Sequence, residues 1–214
     1  MSTGGGARRG PAGPAVVRRR TTAPPAARRR TTAAAVAVVL VGLLGALTGC
    51  AAPAPGTATT PPPWPAPTAL AARADAAGLR NVWGERLAEH VHTHLTVLDG
   101  ADPVTVPGNI GHSDAARFAA QLHTHDTSGI LHVESPTRRT FTLGQFFDEW
   151  GVRLDAWHVG GLRGSLTVWI DGRRRFGDPR TIALTDRRRI VLEVTTVGEV
   201  PRLPAPFDWP PQYR

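Results

Sequence analysis

Between His90 and Leu98 the chain reads HVHTHLTVL, and this strict alternation constrains its fold more than any other stretch. Successive side chains of a β-strand point to opposite faces. Val91, Thr93, Leu95 and Val97 therefore share one face, and His90, His92, His94, Thr96 and Leu98 share the other. Asp99-Gly100 begins a turn, and residues 103–106 can return as a second strand. The pattern recurs in LHTHD at 122–126 and ILHVE at 130–134. Seven of the eight histidines lie between residues 90 and 134, the eighth being His158.

The hydrophobic pattern selects the register of the second histidine segment, because a slip of one residue exchanges the two faces of a strand. A four-residue turn at Asp126–Gly129 places His123 opposite His132 and Gln121 opposite Glu134. A three-residue loop with a bulge would put His132 on the reverse face. Only the first register gathers Leu122, Leu131 and Val133 on the core side. It leaves His123, His125, His132 and Glu134 together, with Ile130 also on the histidine side.

Several imidazoles placed side by side without a cation are polar groups lacking partners, and they titrate near neutrality. A divalent metal ion resolves both problems. The candidate ligands are His90, His92, His94, His123, His125 and His132, with Glu134 and Asp126 as carboxylates to hand. One strand holds its same-face histidines too far apart to complete a compact shell alone. Both histidine segments are therefore expected to serve one site, centred on His92, His94, His123 and His125. His90 and His132 then act as further ligands or orient the others, a role Glu134 can share. Cys50 and Met1 are the only sulfur-bearing residues; with Cys50 expected to carry lipid and Met1 to leave with a signal peptide, imidazole and carboxylate must supply the donors. Such donors suit Cu(II), Zn(II), Ni(II) or non-haem iron, with copper favoured by affinity order and zinc as the commonest structural alternative.

Two other classes compete with a metal-binding role. A metalloenzyme would hold its ion with three histidines and use Glu134 or Asp126 as base. An envelope interaction module would use the histidines to respond to pH. No nucleophile motif or phosphate loop accompanies the histidines, which leans the reading away from catalysis.

The formal charge of +8 does not indicate nucleic acid. Eight arginines and no acids precede residue 50, and the remaining 17 arginines face 17 acids. Residues 33–47 are an apolar run behind that basic segment, short for a membrane span and arranged like a secretory signal. The run leads into Leu47-Thr48-Gly49-Cys50, which resembles the lipobox of bacterial lipoproteins. Residues 1–49 are thus expected to be a signal peptide with a long basic leader. Cys50 would then carry lipid and anchor the protein to the membrane, facing outside the cytoplasm. Residues 50–67, rich in Pro, Ala and Thr, are expected to be a solvated tether.

One domain, residues 68–200, remains ahead of a proline-rich tail at 201–214 that Phe207 and Trp209 can dock. A short helix is expected from an N-cap at Thr68 to Gly78. A second, LGQFFDEW, is expected between an N-cap at Thr142 and Gly151, burying Leu143, Phe146, Phe147 and Trp150. Residues 113–121 read as a helical turn or a long loop. Strands are expected at 165–170, 181–184 and 189–195, with Asp171-Gly172 as a turn and solvated arginine runs at 173–175 and 187–189. The fold class is α+β, mostly antiparallel, with one or two short helices and a β-grasp-like arrangement.

Taken together, HVHTHL, VPGNIG, LHTHDTSGILHVES and FTLGQFFDEWGV resemble an uncharacterised family of exported bacterial histidine-rich proteins, often lipoproteins, over roughly residues 88–195. The resemblance implies export and lipid anchoring but brings no activity with it. Cupins also place HxH on a strand, but their glutamate follows within a few residues, whereas Glu134 stands nine beyond His125.

Overall fold

A computed structural model describes residues 60–213; the expected signal peptide, Cys50 and the first part of the tether lie outside the described residues. Seven strands form the main sheet: β1 (Glu89–Asp99), β2 (Asp102–Val104), β3 (Leu122–His123), β4 (Ile130–Ser135), β5 (Ser165–Ile170), β6 (Arg173–Arg175) and β7 (Arg188–Thr195). The strand order is β6-β5-β7-β1-β4-β3, with β2 pairing the far end of β1. The long strands β1 and β7 run parallel at the centre, and each is flanked by an antiparallel partner. One helix crosses one face. This is the expected α+β class in a β-grasp-like arrangement, and the central parallel pair is the feature that alternation alone could not reveal.

The helix α2 (Leu143–Trp150) forms where its end signals placed it. Thr142 and Gln145 make a reciprocal capping box, and Gly151 closes the helix with φ of 77°. Leu143, Phe146, Phe147 and Trp150 are buried against Leu95, Val97, Leu122, Leu131, Val133, Ile190 and Leu192 of the sheet. Those sheet residues are the apolar members of the alternating strands, so one face is core and the opposite face is left for the histidines.

Elsewhere the outcome differs from the expectation in instructive ways. Helix α1 (Leu70–Ala76) begins after Ala69 with no side-chain cap, so Thr68 does not cap it. The tether ends earlier than residue 67. Trp64 is only 2% exposed, packs edge-on against Trp150 at 5.8 Å and donates from Nε1 to the Thr60 carbonyl at 2.8 Å. Proline-rich chain is extended enough to carry this large apolar ring into the core rather than leave it in water. Gly160, at φ of +56°, is the complementary device: a Cβ there would stand 2.2 Å from the Trp64 ring.

Residues 113–121 form neither a helix nor a plain loop, but a small hairpin pairing His112–Ser113 with Phe118–Ala119. Residues 181–184 do not form a strand. Thr181 closes a 3-10 turn at Pro179–Thr181, and the residues after it make one bridge, Thr142 with Ala183. The first arginine run is itself the edge strand β6, turned at Asp171 and Gly172 (φ of 51° and 81°).

Candidate metal centre

The hairpin adopts the expected register. Leu122 pairs with Val133 and His123 with His132, and both apolar residues are fully buried on the core side. The turn is looser than four residues: beyond His123 the chain leaves the ladder, and Thr124 exchanges backbone hydrogen bonds with Asn109 and Ile110. β1 supplies the next register, His92 opposite His132 and His90 opposite Glu134. A row of three imidazoles, His92–His132–His123, therefore crosses three neighbouring strands. Ring centroids are 4.6 Å apart for the first pair and 5.1 Å for the second, close to the spacing between strands.

His90 and His125 flank this row. His90 lies 4.8 Å from His92, and His125 lies 4.8 Å from His123 and 4.5 Å from His132. Two groups result, each with ligand atoms within 4.8 Å of one another: His90, His92 and His132, and His123, His125 and His132. His132 belongs to both.

Donor chemistry fits a metal. The Nδ1–H of His123 donates to the Ala120 carbonyl at 2.8 Å, which fixes the tautomer and aims the Nε2 lone pair outward. That Nε2 stands 3.2 Å from His125 Nε2. Two imidazole nitrogens bound at about 2.0–2.1 Å to one tetrahedral ion are separated by roughly 3.3 Å, so the pair is already at ligating distance. His92 Nε2, His132 Nδ1 and His112 Nδ1 are buried without hydrogen-bond partners. Polar atoms in that state each cost on the order of 1–3 kcal/mol, and a bound cation relieves them.

Burial disfavours the imidazolium. Desolvation, reinforced by the neighbouring histidines, pushes the His132 pKa down from 6.5 to about 2. His123 falls to about 3, again mainly by desolvation, and His92 and His112 are lowered for the same first reason. These four rings are therefore neutral at neutral pH, the protonation state that binds metals.

Glu134 is half-buried beside both groups. Its Oε1 lies 3.2 Å from His90 Nε2 and 4.0 Å from His123 Nε2. Asp126 is turned to local use: it accepts from the Ser128 amide at 2.8 Å, as the first residue of an Asx turn, and stands outside both histidine groups.

His94 requires a correction to the expected core set. It points to the same face as His90 and His92 but belongs to neither group. Its Nε2–H donates to the Ser128 carbonyl at 3.0 Å, and its ring stacks on Phe207 at 3.5 Å. The tail claims this histidine before a metal can. Burial lowers its pKa to about 4. Nor do His92, His123 and His125 form one compact quartet with it, because neighbours across strands are nearer than neighbours along one.

Three further residues stand at or near the cluster or buried in the core without a signal in the local sequence pattern. His112, in GNIGHSD, has no alternating partner to flag it, yet its ring lies 4.3 Å from His125 and 5.4 Å from His123. Tyr213, the only tyrosine, packs its ring 4.4 Å from His92 and 5.8 Å from His132. Glu149, on α2, is fully buried with both carboxylate oxygens unpartnered, and burial raises its pKa well above the usual range. It lies in the core beside Gly111, where a Cβ would meet Oε1 at 2.6 Å. His158 sits apart and pairs with Asp155 at 2.9 Å. An open cleft lined by Trp83, His112, His123, His125 and Glu134 gives solvent access to the second group.

Comparisons with protein-family models, with curated proteins and with solved structures gave no match to this chain. Among the described residues no helix is long and apolar enough to cross a membrane.

Proposed function

We propose that this chain is a lipid-anchored extracytoplasmic protein that binds a divalent transition metal through its histidine cluster, for capture, buffering or delivery of the ion. The observation that carries the reading is the convergence of two histidine triads on His132, with buried ring nitrogens that have no partner inside the protein. Cu(II) and Zn(II) are the favoured ions. The donors are imidazoles with one adjacent carboxylate, and the affinity order places copper first. The anchor rests on the sequence at 33–50, where an apolar run meets Cys50.

A metalloenzyme is the second reading, and the cleft that brings solvent to His123 and His125 beside Glu134 favours it. The abundance of imidazoles favours binding instead, since a catalytic ion needs an open position rather than more ligands.

Elemental analysis of the protein purified from its native host, with calorimetric titration of the metal-stripped protein by Cu(II) and Zn(II), tests the proposal. Copper or zinc in the native protein and tight binding of the same ion are the expected results. An absence of binding by either ion would overturn it. Cys50→Ala is expected to move the protein out of the membrane fraction, and a variant that stays there, with no lipid on the wild type, would overturn the anchor.

A further inference from the structure

A row of three histidines across three strands creates two gaps, not one. The first lies between β1 and β4, bounded by His92 and His132; the second lies between β4 and β3, bounded by His132 and His123. Each gap has its own flanking histidine. His90, two residues along β1, completes the first, and His125, just beyond β3, completes the second, with His112 standing 4.3 Å behind it. Six imidazoles and Glu134 are more donors than the four that one tetrahedral ion takes. Acidic groups are spread to match. Asp114 Oδ1 lies 3.7 Å from His112 Nε2 at one end, Asp186 acts on His92 at the other, and Glu134 Oε1 lies between His90 and His123.

We propose that the cluster holds two divalent ions at once, one in each strand gap, bridged by the imidazole of His132. This rests on the reading of the cluster as a metal site and names its nuclearity. The logic is set by valence. His132 is shared by both triads, and one ring nitrogen serves one ion. Both triads fill together only if Nδ1 takes one ion and Nε2 the other. The ring then gives up its remaining N–H proton to solvent as the second ion binds, and no oxidant or reductant is involved. The neutral ring becomes an imidazolate whose negative charge lies between two dications.

The test is titration of the metal-stripped full chain with Cu(II), followed by calorimetry and by electron paramagnetic resonance. Two equivalents are expected. The signal should grow through the first equivalent and decline through the second, as the two spins couple through the bridging ring. His90→Ala and His125→Ala alter exposed residues and should leave the fold intact. Each should lower the stoichiometry from two to one and restore an uncoupled signal. His132→Ala should remove the coupling. Saturation at one equivalent would overturn the proposal while leaving the metal reading standing. So would two equivalents whose spins remain independent. No binding at all would overturn both.

Discussion

One face of the central sheet is divided between two regions with the same backbone and opposite chemistry. Toward β3 it carries His92, His132 and His123. Toward β5 it carries Leu98, Val191 and Trp169, a small apolar cluster of its own. β1 contributes to both, with His92 near one end and Leu98 near the other, at positions that alternation puts on the same face. The tail joins the regions: Arg202 donates its amide to Glu193, Leu203 to Phe207 lie over Val191 and His94, and Tyr213 reaches His92. The apolar region gains from every contact it makes without water. The histidine region buries nitrogens that have no partner. Apolar packing and the candidate metal ligands are thus separated along one strand, and the separation can be tested.

Trp169→Ala should have the largest effect. The ring is 6% exposed, and its removal should cost about 3 kcal/mol or more in chemical denaturation. Metal stoichiometry should be unchanged, because the ring packs in the apolar cluster with Leu98 and Val191, toward the other edge of the sheet. A variant that lost metal before it lost stability would break the separation.

Acid should next find the histidine region. His132, His123 and His94 have folded pKa values of about 2, 3 and 4 against 6.5 in the unfolded chain. Above 6.5 both states are neutral and nothing is gained or lost. Below it the unfolded chain takes up protons that the fold refuses, so stability falls progressively as pH drops from 6.5 toward those values. The metal-free protein should show this decline in thermal melts, and substituting the apolar cluster should not alter its slope.

Phe207→Ala is expected to cost about 1–2 kcal/mol, since the ring is partly exposed but covers His94. It should also raise the His94 pKa from about 4 toward 6.5, as followed by NMR titration. An unchanged pKa would mean that Phe207 does not keep water from this ring.

The smallest effect belongs to His132→Leu in the metal-free protein. Replacing a ring whose Nδ1 is buried without a partner should change stability by about 1 kcal/mol or less, in either direction. Added metal is expected to raise the melting temperature of the wild type, and the same variant should lose most of that gain. Glu149→Gln should act with the opposite pH sign to the histidines. The folded state holds its proton where the unfolded state has released it, so the present stability declines as pH rises above about 4.5, and the amide should remove that decline.

What was legible in the sequence was local. Leu122, Leu131 and Val133 fix which face His132 takes, and Thr142 and Gly151 delimit α2, whereas the Gln145 half of the capping box came from the structure. What was illegible depended on partners far along the chain. His112 reaches the cluster through a hairpin with no histidine alternation, Tyr213 arrives from the tail, and Trp64 comes from what composition suggests is linker. Glu149 occupies a helical position next to the apolar stripe, where a carboxylate is normally read as solvated. The grouping of ligands also eluded the sequence, because neighbours across strands become visible only once every strand has its partner.

The central pairing of β1 with β7 has a bearing on how the chain reaches this state. Thr93 stands opposite Arg188, while the partners of β1 on its other edge all lie before residue 136. The strands that carry the clustered rings can therefore find one another over smaller chain separations, earlier in folding. The other edge of β1, with unpaired amides and carbonyls, must wait for a strand nearly a hundred residues away. During that interval the growing sheet presents an adhesive border to other copies of itself. High concentration during refolding should therefore favour aggregation, and the late arrival of Arg188–Thr195 is the step that seals the border.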